Sequence, residues 1–166
     1  MAPSNFERMV ILANTVFDTR SDSSQLSVNE EVINRLHSIH PATLSEYDDG
    51  KGPAAWILVF PTTSELMEKF IGNKISERQL YDLTPLETDY TAIYLCSALV
   101  LPEYRMKGIA TNLTVQAIEN IKKDHPIKSL FVWPFSKEGY KLAEKIAVLT
   151  GIPLKKKQPR ISERTD

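Results

Sequence analysis

Arg105 and Lys107 stand two residues apart in the run Leu99-Val-Leu-Pro-Glu-Tyr-Arg-Met-Lys-Gly-Ile-Ala-Thr-Asn-Leu113. The run reads as an apolar strand ending at Pro102, a short basic turn, and a helix that starts at the single glycine Gly108. That order gathers two cationic side chains and a helix N-terminus at one concave point. The first N–H groups of a helix lack intrahelical acceptors and lie at the positive end of its dipole, so the point favours an anion. Gly108 lets the backbone approach a ligand closely, and Ala110 keeps the next turn slim. A phosphate or pyrophosphate is the simplest guest. The bland alternative is a solvated loop joining a strand to a helix.

Other residue types that could do chemistry are thinly placed. Gly50-Lys-Gly52-Pro-Ala-Ala55 fits G-x-G-x-x-A on paper, but it precedes a strand and Pro53 suits a turn, so a dinucleotide site does not follow. No Walker A pattern is present. His37 and His40 are close in sequence, yet Pro41 ends their run and no further ligand clusters with them, so no metal site is expected. Cys96, the single cysteine, lies inside an apolar strand, where a thiol usually serves as a small core residue rather than a nucleophile.

The elements that must position the turn follow from periodicity. Ala92–Leu101 is apolar on both alternating sets, as a strand covered on both faces should be. The helix after the turn places Ala110, Leu113, Ala117, Ile118 and Ile121 on one face, and His125-Pro126 stops it. Ser129–Trp133 is a second buried strand, so the order is a right-handed parallel β-α-β unit. Ser136 caps a last helix that reaches Thr150, with Gly151 just beyond it. Two parallel strands that part at their C-terminal ends leave a slot where ligands of open α/β sheets bind. Leu99 and Val100 would offer backbone groups on one side of it, and Trp133 to Phe135 would wall the other. Pro134 has no N–H for a ladder, which helps to end pairing there.

Upstream, Phe6 to Phe17 has helical spacing with Phe6, Met9, Val10, Ala13 and Phe17 on one face, and Thr19 to Ser24 is a polar loop. A second helix spans about Val28 to His37, with Val32, Ile33 and Leu36 inward. Thr43–Tyr47, the turn Asp48–Gly52 and Ala54–Phe60 read as a hairpin. Thr63 or Ser64 caps a third helix whose apolar stripe is Leu66, Met67, Phe70, Ile71 and Ile75.

A chain of 166 residues with 42% hydrophobic and 25% charged content is expected to form one domain with a substantial core. We place that domain at 1–154, with 155–166 as a flexible tail carrying five basic and two acidic residues. After Gly151 there is room for one small strand. A net charge of −1 gives the molecule no reason to seek nucleic acid or an anionic membrane. No N-terminal basic-then-apolar signal pattern appears, and no apolar run approaches the ~20 residues a membrane helix needs. One cysteine makes no internal disulfide, which suits a reducing compartment, and the chain reads as cytoplasmic.

Arg105-Met-Lys-Gly108-Ile-Ala110 resembles the R/Q-x-x-G-x-G/A signature of the GNAT acetyltransferases, and Val100-Leu-Pro-Glu-Tyr104 is similar to the end of that family's fourth strand. The resemblance runs from about Ala92 to Gly151, is weak over 43–61 and is absent upstream. It implies an α/β fold with a mixed, partly splayed central sheet and helices on both faces. It implies acetyl-CoA as cosubstrate, with Arg105, Met106, Lys107, Gly108, Ile109, Ala110 and Thr111 around the pyrophosphate. Ala98, Leu99 and Val100 would face the pantetheine, and Ser136 would add a hydrogen bond. The implied reaction is acetyl transfer to a primary amine, of a small molecule or a peptide, and a homodimer is compatible with it.

The chain also departs from that family. Where a carboxylate or an ordered water commonly acts as base, it has Cys96 and Ser97. The position of the usual general-acid tyrosine falls on Ala143. Tyr140, three residues earlier on nearly the same helix face, is the candidate proton donor, with a core tyrosine as the alternative. Two other functions therefore stay open: a GNAT-fold module that binds acyl-CoA without turnover, and an interaction domain whose turn binds nothing.

Overall fold

The computed structural model describes residues 2–19, 29–134 and 136–157 of the chain. Its elements are α1 (Asn5–Thr19), α2 (Glu30–Ile39), β1 (Leu44–Asp48), β2 (Pro53–Thr62), α3 (Ser64–Ile71), α4 (Glu77–Leu83), β3 (Ala92–Val100), a 3-10 turn (Pro102–Tyr104), α5 (Ile109–Asp124), β4 (Ser129–Val132), α6 (Lys137–Thr150) and β5 (Leu154–Lys156). The strands form one open sheet in sequence order. β1, β2 and β3 pair antiparallel, whereas β3, β4 and β5 run parallel. The expected mixed α/β architecture is present.

Local chemistry accounts for most of the boundaries. Asp48 turns the hairpin by accepting the N–H groups of Gly50 at 2.8 Å and Gly52 at 3.1 Å. Asn29, Thr63 and Ser136 each cap a helix through a side-chain oxygen, satisfying an N–H that the helix leaves over. α6 ends at Gly151, whose φ of 70° is a left-handed conformation that glycine adopts without strain. β3-α5-β4 and β4-α6-β5 are consecutive parallel crossovers in one direction, so right-handedness puts α5 and α6 on the same face. The other face carries a row of aromatic rings under α3. Phe60, Tyr94 and Phe131 come from neighbouring strands, and Phe70 packs at 5.1 Å from Tyr94 and 5.9 Å from Phe131.

Three expectations need correcting. α4 is absent from the sequence reading, which carried the α3 stripe on to Ile75; α3 stops at Ile71, and a capping box between Ser76 and Gln79 starts a new helix. Among the described side chains of α1 only Met9 is buried, while Phe6 and Val10 are exposed, because the helix touches a small satellite core of Ala54, Leu99 and Leu101 instead of spanning the sheet. Lys155 and Lys156, assigned to a tail, form edge strand β5, and Lys157 is buried beyond it. The ladder to β4 supplies the hydrogen bonds that hold them, including Lys157 N–H to the Val132 carbonyl at 2.9 Å. Most of the loop 19–24, the Phe17 side chain, Phe135 and residues 158–166 lie outside the described residues.

Phe70 touches Tyr94, Phe131 and Trp133 and has no exposed surface. Phe70→Ala removes a ring that these neighbours cannot collapse to replace, and it should cost about 3–5 kcal/mol. The expected observation is a lower urea midpoint at unchanged m-value; an unchanged midpoint would mean the aromatic row does not carry the core.

Candidate functional site

The basic turn is braced from behind. The 3-10 turn ends with the Arg105 N–H bonded to the Pro102 carbonyl at 3.2 Å, and the Arg105 side chain folds back so that Nε donates to the Val100 carbonyl at 2.9 Å. Arg105 therefore ties the turn to the end of β3 as well as carrying charge. Met106 is fully exposed at a φ of 65° and Gly108 has a φ of 80°, so the chain reverses sharply into α5. No side chain caps α5. Its first ladder bond is Asn112 N–H to the Gly108 carbonyl at 2.9 Å, which leaves Ile109, Ala110 and Thr111 N–H ahead of the ladder. Lys107 lies at the turn with Nζ 5.8 Å above the Tyr104 ring.

The hairpin and α1 hold this turn in place. The Tyr104 hydroxyl donates to Asp49 at 2.7 Å, which keeps the Asp49 carboxyl below its ordinary range and raises the Tyr104 phenol. The Arg8 guanidinium meets both oxygens of Glu103 at 2.8 Å and holds that carboxyl down in the same way. Both pairs are exposed, so they fix geometry more than they add stability. Leu99 faces the satellite core with Met9, which leaves only its backbone to serve a ligand; Ala98 is exposed and Val100 half-buried. Thr111 is buried, so the open part of the helix start is Ile109 and Ala110.

Pairing between β3 and β4 stops where the slot was expected to open. β3 and β4 pair only from Ala92 opposite Ser129 to Leu95 opposite Val132, and β3 then continues for five residues without β4. A bulge lies at the same point: Val59 pairs with Leu95 and Leu58 with Ser97, so Cys96 is an extra residue on β3. Bulges bend a strand and re-aim its side chains. Half-buried Trp133 and Pro134 lead away from the end of β4 toward Ser136, whose Oγ accepts the Gly139 N–H at 3.0 Å. Tyr140 is half-buried one turn into α6, with Lys156 Nζ 5.2 Å from its ring, and Ala143 is buried.

One group at the divergence escaped the sequence reading. Glu77, at the start of α4, is only 2% exposed. Its Oε2 accepts the Tyr94 hydroxyl at 2.5 Å and lies 3.9 Å from Cys96 Sγ. The pattern Ser76-Glu-Arg-Gln79 is a capping box and could have revealed the helix, but nothing local shows that its first carboxylate turns inward. His40 meets Asp124 at 2.7 Å and His37 is exposed. Among the described residues no group of three His, Cys, Asp or Glu could hold a metal ion. No described helix is long and apolar enough to cross a membrane.

No protein-family model matches the chain, and no curated protein matches it in sequence. Among solved structures it is similar to Naa20 of Chaetomium thermophilum, crystallised with a bisubstrate analogue, at a TM-score of 0.48 and 16% identity over 84% of this chain and 64% of that one. It is also similar to the apo aminoglycoside 6'-N-acetyltransferase AAC(6')-IG of Acinetobacter haemolyticus, at a TM-score of 0.45 and 14% identity over 100% of this chain and 97% of that one. The chain thus spans less than two thirds of the Naa20 chain.

Proposed function

We propose that this chain is a GNAT-type N-acetyltransferase that passes an acetyl group from acetyl-CoA to a primary amine. The observation that carries the reading is the uncapped start of α5, reached through Arg105, Lys107 and Gly108, beside the point where β3 leaves β4. A cosubstrate with a pyrophosphate at one end and a thioester at the other suits both features. Ile109 and Ala110 N–H, with the two basic side chains, would hold the pyrophosphate. Ala98 to Val100, on the edge of β3 that β4 has left, would hydrogen-bond the amide-bearing arm. Ser136, at the start of α6, would add a hydrogen bond.

What the protein contributes to such a reaction is proximity, donors for the developing charge on the thioester oxygen, and proton handling. A phenol can return a proton to the departing thiolate, and we assign that to Tyr140 because Ala143 has no proton to give. Ala143 equally favours a rival, a module that binds acyl-CoA without turning it over. Thiol release with a panel of primary amines (a peptide with a free α-amine, a lysine peptide, an aminosugar) separates the two, since only the enzyme releases CoA.

Inorganic pyrophosphate should shift the amide resonances of Gly108 to Thr111 selectively, and less so at high salt. Shifts elsewhere only would move the anion site. A Cβ at Gly108 meets open space, so Gly108→Glu should fold with about 1 kcal/mol of left-handed strain and lose acetyl-CoA binding to bulk and like charge. Equal affinity by calorimetry would place the site elsewhere. Tyr140→Phe should keep acetyl-CoA affinity and lose roughly 10²-fold in turnover; unchanged turnover would leave Tyr140 as a packing residue.

A further inference from the structure

We infer that Glu77 is the group that takes the proton from the acceptor ammonium. The inference rests on the acyl-transfer reading above and supplies the base that the strands lack. A carboxylate inside a core is costly unless it is well hydrogen-bonded, so its position demands a reason. Glu77 is set by the capping box that starts α4 and by the Tyr94 hydroxyl at 2.5 Å, which leaves it little freedom to turn outward. The oxygen that accepts Tyr94 also lies 3.9 Å from Cys96 Sγ. Cys96 is the bulge residue of β3, half-buried, one step past the last β3–β4 pair. Glu77 thus stands directly behind the point where the strands diverge, and a ligand of an open α/β sheet reacts at the ends of such strands.

The step balances as follows. The acceptor ammonium gives one proton to the Glu77 carboxylate. The neutral amine nitrogen bonds to the acetyl carbonyl carbon, the carbon–sulfur bond breaks, and the departing thiolate receives the second nitrogen proton by way of the donor assigned above. Glu77 then returns its proton to solvent. Tyr94 is a positioning residue: it fixes the carboxylate and does not touch the acceptor. Tyr94 and Cys96 on β3 are titratable groups that face Glu77, and Tyr81 follows one turn along α4. The Lys157 ammonium lies on the rings of Phe70 and Trp133, with Asn73 as hydrogen-bond partner, and Phe70 itself touches Tyr94.

The test compares wild type, Glu77→Gln and Glu77→Asp. Calorimetry with acetyl-CoA should give affinities within about twofold, since Glu77 does not touch the anion turn. With the amine panel, Glu77→Gln should lose roughly 10²- to 10³-fold in kcat/KM near neutral pH. The deficit should narrow as pH rises and the acceptor loses its own proton, and Glu77→Asp should recover part of the rate. A purely structural role would lower activity by the same factor at every pH. A second readout needs no cosubstrate: iodoacetamide alkylation of Cys96 followed against pH. Removing the negative charge beside the thiol should move the midpoint down by about 1 pH unit. Should Glu77→Gln fail to fold, the kcat/KM–pH profile of Glu77→Asp decides, since that variant keeps the charge but shifts the carboxylate: a deficit that is the same at every pH overturns the role. An unmoved Cys96 midpoint, or equal kcat/KM at all pH values, overturns the role of Glu77 alone. Wild type that binds no acetyl-CoA overturns the acyl-transfer reading, and Glu77's role with it.

Discussion

The Tyr94 and Phe131 rings stack at 5.0 Å across the short parallel ladder of β3 and β4. Almost everything that defines the site depends on where that contact stops. Phe70 covers both rings from α3, Phe60 flanks them from β2, and together they fasten the two strands over four residue pairs. Aromatic pairs add geometric preference to burial, so the clamp holds direction as well as area. Beyond it the bulge at Cys96 bends β3, and Pro134 brings no N–H to prolong β4. β3–β4 pairing stops after four residue pairs, and β3 carries its bulge just past that point.

The N-terminal half braces the turn before α5. Met9 fills the satellite core with Ala54, Leu99 and Leu101, Arg8 holds Glu103, and Asp49 of the hairpin turn holds Tyr104. The edge-to-face contact of Tyr47 with Tyr104 adds an apolar component. Each of these is modest in energy, yet all act on the few residues between β3 and α5. Their combined effect is to orient the turn, which an anion site built from backbone N–H groups would need most.

α4 gives the core its polar element. It is a seven-residue helix with a capping box at one end and Arg35 of α2 bonded to the carbonyls of Tyr81 and Thr84 at the other. A helix that short gains little from its own ladder, so its orientation depends on these contacts. The same contacts hold Glu77 against Tyr94 and Cys96.

The sequence alone determined the elements whose signals are local. β3 was legible because it is apolar on both alternating sets, α5 and α6 from their periodicity and stops, and the basic turn because its chemistry lies within seven consecutive residues. Caps at Thr63 and Ser136 were equally local. Tertiary structure decided the rest, because those features depend on which distant surfaces meet. The apolar face of α1 is broad in sequence, but among its described side chains only Met9 is buried. The three lysines at 155–157 looked like a solvated tail until the open edge of β4 offered hydrogen bonds to two of them as a strand and to the third through its backbone. Glu77 carried no local sign of its burial. A charged residue in the first turn of a helix is usually solvated, and only the fold brings α4 under the bulge of β3, where a carboxylate meets a phenol and a thiol.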